Sequence, residues 1–242
     1  MEMRRGAGQA LGFFALCACS AAAAPAASAQ PGVGDAVWTH HGHGAGAAAS
    51  VNVLTLNDQR GIDNRISAYI ASSGRLVLTA PEGLGDPDGS GAECGLDNAK
   101  VGESSATEVS CAPGYIAAIV GDLDGGSDTF DAHPGLTVMI GAVIDGQRRP
   151  LAGGPGRDRL VGGSLSDLLD GGGGPDSIAG GRGGDLLLGG PGADNLSGGG
   201  ANDVLLGGGG PDKLAGGGGR DLCRGAGGRD AAKSCELRRS VP

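Results

Sequence analysis

The sequence is poor in aromatic residues: three Phe, two Tyr and one Trp among 242 residues. Large globular cores draw much of their buried area from such side chains, so a conventional core of that kind is excluded. Basic residues are scarce too. Eighteen Lys and Arg against 27 Asp and Glu leave a formal net charge of −9, which argues against a nucleic-acid partner that would want a basic face. No apolar run reaches the roughly 20 residues of a membrane-spanning helix. What is abundant is glycine, with 53 residues, joined by 12 prolines. Glycine costs about 1 kcal/mol per helix position relative to alanine, so a long helical bundle is excluded as well. A composition this rich in Gly and Pro is either disordered or strictly periodic.

The first 29 residues read as an export signal. Arg4 and Arg5 form a basic start, the apolar run ALGFFALCAC covers residues 10–19, and Ala27-Ser28-Ala29 offers a small-residue cleavage site. Leu16-Cys17-Ala18-Cys19 also resembles a lipobox, the alternative of a lipid anchor. The twin arginines are followed by Gly6-Ala7-Gly8, unlike a twin-arginine export motif. Removal of the signal leaves Cys94, Cys111, Cys223 and Cys235. An even count outside the cytosol implies disulfides. Three pairings exist, and proximity in sequence favours Cys94–Cys111 and Cys223–Cys235.

Self-comparison decides between disorder and period. From Gly153 the chain reads GGPGRDRLV, GGSLSDLLD, GGGGPDSIA, GGRGGDLLL, GGPGADNLS, GGGANDVLL, GGGGPDKLA, GGGGRDLCR and GAGGRDAAK, ending at Lys233. These are nine blocks of nine without insertion or deletion, holding 30 of the 53 glycines. Asp holds every sixth position: Asp158, Asp167, Asp176, Asp185, Asp194, Asp203, Asp212, Asp221 and Asp230. The eighth position is Leu160, Leu169, Ile178, Leu187, Leu196, Leu205 and Leu214, then Cys223 and Ala232.

Three residues around the eighth position form a short strand whose central side chain faces inward, since strand side chains alternate. The six-residue G-G-x-G-x-D segment then has to reverse the chain, with glycine supplying the positive φ angles of tight turns. Glycines leave backbone carbonyls unobstructed. Carbonyls plus one carboxylate per turn make an oxygen-rich site suited to Ca²⁺, whereas zinc or copper would want the His that the repeats lack.

These blocks resemble the haemolysin-type calcium-binding nonapeptide of the repeats-in-toxin (RTX) family. The resemblance covers about a third of the chain. It implies a parallel β-roll in which two blocks make one flattened coil and calcium lies between stacked turns. Asp158, Asp176, Asp194, Asp212 and Asp230 would line one edge, and Asp167, Asp185, Asp203 and Asp221 the other. Adjacent pairs give up to about seven calcium ions. Leu165, Ala201 and Ala226 replace expected glycines, which leaves the sites of Asp167 and Asp230 the weakest. Burial of seven large aliphatic side chains is small beside the entropy of ordering 81 residues. The repeat is therefore expected to be largely disordered without calcium and to fold on binding it. Cys223 lies at an inward position near the end, so Cys223–Cys235 reads as a terminal staple in a cap over residues 234–242.

Residues 30–152 read as an irregular β-rich domain, with strands at 51–56, 65–70, 75–79, 115–120 and 136–140. The fold class is thus all-β, a β-rich N-terminal domain followed by a parallel β-roll solenoid over 153–233. Residues 123–131 read LDGGSDTFD, a degenerate repeat with Asp128 sixth and Phe130 eighth, 30 residues out from Asp158 and so off phase. His40, His41 and His43 cluster beside Trp38 in a Gly/Ala-rich leader and carry the alternative of a Zn²⁺ or Cu²⁺ site.

H-E-x-x-H and G-x-S-x-G motifs are absent. The reading is a secreted, non-enzymatic calcium-binding protein, with the cell surface as a further location. Its role is structural or in surface interaction, its partner a cell-surface polysaccharide or protein. The alternative is a small secreted hydrolase with an acidic site built from Asp86, Asp88, Asp122 and Asp124.

Overall fold

A computed structural model describes residues 35–43, 50–57, 61–85, 94–97, 105–114, 116–144 and 147–239. Residues Gly32–Pro242 form one compact unit. No helix occurs among the described residues. The export signal, Asp86, Asp88 and the side chains of Cys94, His40, His41 and His43 lie outside them.

The nonapeptides stack as coils between two parallel sheets. One sheet contains Arg159–Val161, Ser177–Arg182, Asn195–Gly200, Lys213–Gly218 and Ala231–Lys233. The other contains Leu151–Pro155, Leu168–Gly173, Leu186–Pro191, Val204–Gly209 and Leu222–Gly227. The register is one coil, two blocks, throughout: Ile178 faces Leu196 and Leu196 faces Leu214, while Leu169 faces Leu187 and Leu187 faces Leu205. These eighth-position side chains are buried in one continuous core that runs from Leu54 to Cys223.

The seven strands from Leu168–Gly173 to Leu222–Gly227 are six residues long, not three. In Ser177–Arg182 both Ile178 and Gly180 point inward, so the first glycines of the next block belong to the strand. Reversal is left to positions four to six. The glycines inside the strands answer to proximity: a Cβ on Gly190 would run into the carbonyl oxygen of Gly172 in the coil below. That close approach holds the ladder together between coils, and any side chain there would pry it open.

The coil stack also starts earlier than the regular repeat, extending over residues 118–233. Thr129–Ala132 pairs in parallel with Arg159–Val161, setting Phe130 against Leu160. Ala118–Asp122 pairs in parallel with Leu151–Pro155. The phase break lies in an insertion, the antiparallel hairpin Ala142–Ile144 and Gln147–Arg149. It loops out and leaves the core register intact. Further upstream both sheets continue. Arg65–Ile70 joins Thr129–Ala132, followed in antiparallel order by Leu76–Gly85, Ser105–Cys111 and Cys94–Asp97. Ser50–Asn57 joins Ala118–Asp122, and Asp35–His43 pairs antiparallel with it. The expected strand at 136–140 is reduced to Met139–Ile140, and that at 115–120 runs as Ala118–Asp122. Cys94 and Cys111 are register partners, and Cys111 is disulfide-bonded.

Outer residues sort by sheet. Arg159, Ser177, Asn195 and Lys213 face out from one sheet, while Leu186, Leu188, Val204 and Leu206 lie on the outer side of the other. At the C-terminal end Leu237–Arg239 adds one more parallel strand against Leu222–Gly227, and a disulfide joins Cys223 to Cys235.

Candidate metal centre

Each sixth-position Asp ends a turn, where the chain re-enters a strand. Stacking in register brings these residues into two ladders. On one edge the backbone N–H of Asp128 donates to Asp158 Oδ1 (2.8 Å), Asp158 to Asp176 (2.9 Å), Asp176 to Asp194 (2.9 Å), Asp194 to Asp212 (3.0 Å) and Asp212 to Asp230 (3.1 Å). On the other edge Ile140 donates to Asp167 (2.8 Å), Asp167 to Asp185 (2.8 Å), Asp185 to Asp203 (2.8 Å) and Asp203 to Asp221 (3.0 Å). The ladder continues from Asp221 to the carboxylate of Glu236. The sequence reading assigned the nine aspartates to two edges, and the structure groups them the same way.

One carboxylate oxygen is thus used to tie coil to coil. The other is not. Oδ2 of Asp158, Asp176, Asp185, Asp194, Asp203, Asp212, Asp221 and Asp230 is buried without a hydrogen-bond partner. The aspartates from Asp158 to Asp221 are at most 3% exposed. A buried carboxylate oxygen without a partner costs free energy unless a cation or proton meets it. Burial accordingly pushes Asp167 up to about 6, Asp176 up to about 7 and Asp185 up to about 8. Hydrogen bonds from the backbone pull each of them back, and for Asp176 and Asp185 the carboxylates one coil away push further up. Asp158, Asp194, Asp203 and Asp212 are raised for the same first reason.

The first glycine of each block makes room beside the free oxygen. A Cβ on Gly162 would collide with Asp167 Oδ2 and with the carbonyl oxygen of Gly180, the first glycine one coil on. The same pair, the block's own Asp and the next coil's first carbonyl, converges on Gly171, Gly189 and Gly198. Among the described residues no group of three or more His, Cys, Asp or Glu side chains is placed to hold a metal. The donor set is one carboxylate plus backbone carbonyls per turn. It is hard, anionic and all-oxygen, as Ca²⁺ requires.

Two members depart from the pattern. Asp167 Oδ2 accepts a hydrogen bond from Gly163 N–H at 2.7 Å, so its oxygen is already engaged. Leu165 stands where that turn would have its fourth-position glycine, and the turn closes differently. Asp128 joins the ladder, but Leu123, fully buried, stands in the place of the first glycine. Asn64 closes that end, donating from its N–H and Nδ2 to Asp128 Oδ1. The off-phase turn thus caps the ladder. Asp122 and Asp124, read as half of an acidic catalytic cluster, form a local turn in which Asp124 N–H donates to Asp122 Oδ1. Asn64 and Glu236 at the ladder ends were missed from sequence, because neither stands at the nonapeptide spacing.

The two ladders, the shared core and the parallel register define a calcium-type β-roll, a solenoid whose edges are lined with carboxylates and carbonyls. Residues 152–187, 161–196 and 197–231 match the RTX calcium-binding nonapeptide repeat. This segment is an array of RTX calcium-binding repeats, folded as a β-solenoid. No curated protein and no solved structure matches the chain.

Proposed function

We propose that the protein is an extracellular, non-enzymatic calcium-binding scaffold whose roll folds when calcium binds. Asp158, Asp176, Asp194 and Asp212 each supply Oδ2 on one edge, with Asp230 closing the ladder. Asp185 and Asp203 do so on the other, with Asp221 closing it and Asp167, whose Oδ2 also accepts from Gly163 N–H, as its weakest member. This gives up to about seven ions held between successive coils. The observation that carries the reading is the row of buried Oδ2 atoms without a hydrogen-bond partner, each beside a first-position glycine. When bound, calcium supplies positive charge between carboxylates stacked at about 4.8 Å intervals, which would otherwise repel. Residues 1–29 are assigned as the export signal, 30–152 as the region that starts the coil stack, and 234–242 as its C-terminal cap. The RTX repeat is generally a non-enzymatic module of secreted proteins, which supports export. No described helix is long and apolar enough to cross a membrane. The role is structural or in contact with a surface polysaccharide or protein.

Calorimetric titration of the full chain with calcium tests the reading, because it reports stoichiometry and coupled folding together. The expected result is several ions with a large heat of ordering. Heat-silent titration, or the same heat with magnesium at equal concentration, would exclude calcium-coupled folding.

A further inference from the structure

We propose that the C-terminal tail builds one more calcium site, on the edge of Asp221, from residues outside the nonapeptide repeat. This rests on the reading of the roll as calcium-binding and adds a site that the repeat pattern does not predict. The repeat gives Asp221 no successor, because the next residue at its spacing would be residue 239, which is Arg. The chain nonetheless rebuilds each part of a repeat site there.

Three observations converge. Asp221 is 1% exposed, and its Oδ2 is buried without a hydrogen-bond partner. It points toward Gly216, the first glycine of its block, where a Cβ would meet both Asp221 Oδ2 and the carbonyl oxygen of Ser234. Ser234 therefore places its carbonyl where Gly180, Gly189, Gly207 and Gly216 place theirs in the sites below. To do so it adopts φ 50°, a conformation uncommon for a non-glycine residue. The ladder bond that an aspartate one coil on would accept is accepted by Glu236 Oε2 from Asp221 N–H. Glu236 lies 15 residues beyond Asp221, not 18, and its longer side chain makes up the reach.

Between Ser234 and Glu236 sits Cys235, tied to Cys223 on the strand that follows Asp221. The disulfide thereby fixes a carbonyl and a carboxylate, one on each side of it, against the last complete coil. The ligand is a hard divalent cation of calcium size, and the site is the last step of the second ladder.

Native mass spectrometry of the full chain at saturating calcium counts bound ions. Glu236→Gln keeps an acceptor for Asp221 N–H but removes the charge. It is expected to bind one calcium fewer than the wild type, with unchanged strand content by circular dichroism. Asp194→Asn reports on the repeat sites independently and lowers the count through them. A Glu236→Gln protein with the full wild-type count overturns the tail site while leaving the repeat sites standing. A wild-type protein that binds no calcium overturns both. If Glu236→Gln unfolds, Ser234→Pro supplies the second readout. It constrains the backbone that aims the carbonyl, so one ion fewer supports the site and a full count overturns it.

Discussion

Two alanines occupy positions shaped for glycine. Ala201 has φ 80° and Ala226 has φ 79°, the left-handed region that costs an L-residue about 1–2 kcal/mol. Part of that cost is returned by the looser unfolded chain that glycine gives. Ala201→Gly and Ala226→Gly should each raise the stability of the calcium-loaded roll by about 0.5–1 kcal/mol, measured by urea denaturation in saturating calcium. Loss of stability in both would mean the turns do not hold these angles. The aspartates set the pH response. With no metal bound, Asp167, Asp176 and Asp185 have folded-state values near 6, 7 and 8 against an ordinary 3.8. A group raised on folding binds its proton more tightly in the folded state, so it favours folding at low pH and loses that contribution as pH rises through the folded value. The calcium-free roll should therefore gain strand signal as pH falls from about 8 toward 4. Calcium needs the deprotonated carboxylates, so its half-saturation concentration should rise over the same descent. A strand signal in chelator that grows with pH would contradict this assignment of burial.

At the scale of a single coil, the turn of the second nonapeptide differs from its neighbours. Gly163 N–H occupies Asp167 Oδ2, and Leu165 replaces the glycine at the bend. Leu165→Gly should let the turn adopt the geometry of the other blocks and tighten one calcium site severalfold, visible as a leftward shift in part of the titration. An unchanged titration would place the cause of the departure elsewhere than in Leu165. The terminal coil depends on its staple. Cys223–Cys235 closes a loop of 12 residues, for which chain-entropy arguments give about 3 kcal/mol. Cys223→Ala with Cys235→Ala should cost about that much at fixed calcium, read from the denaturation midpoint. Much of this element was legible in the sequence. The phase, with the two-block coil that the RTX resemblance implied, set Asp176 above Asp158, and the register bears that stacking out. What was not legible depended on contacts across the coil. The first glycines extend the strands because the coil below leaves no room for a side chain, as Gly190 against Gly172 shows. Asn64 and Glu236 could not be found by period, because each terminates it.

The molecule as a whole trades apolar burial for charge that must be neutralised. The inward row from Ile66 through Phe130, Leu160, Ile178, Leu196 and Leu214 is one residue wide in each sheet. Such a core is thin for its length, and ladders of buried carboxylates run along both edges. The scarcity of aromatic residues follows from that architecture, for the interior between the sheets admits one side chain per strand and little more. The N-terminal strands begin both sheets and the disulfide-held tail ends one of them, so the repeat is closed at each end by residues that do not repeat, as solenoids require. The stability of the array then depends on what meets the free oxygens. The most direct test is far-ultraviolet circular dichroism of the full chain, first in excess chelator and then through a calcium titration near neutral pH. The account predicts a weak strand signal in chelator that rises cooperatively to full strength as calcium is added. A full strand signal in chelator, unmoved by calcium, would contradict it.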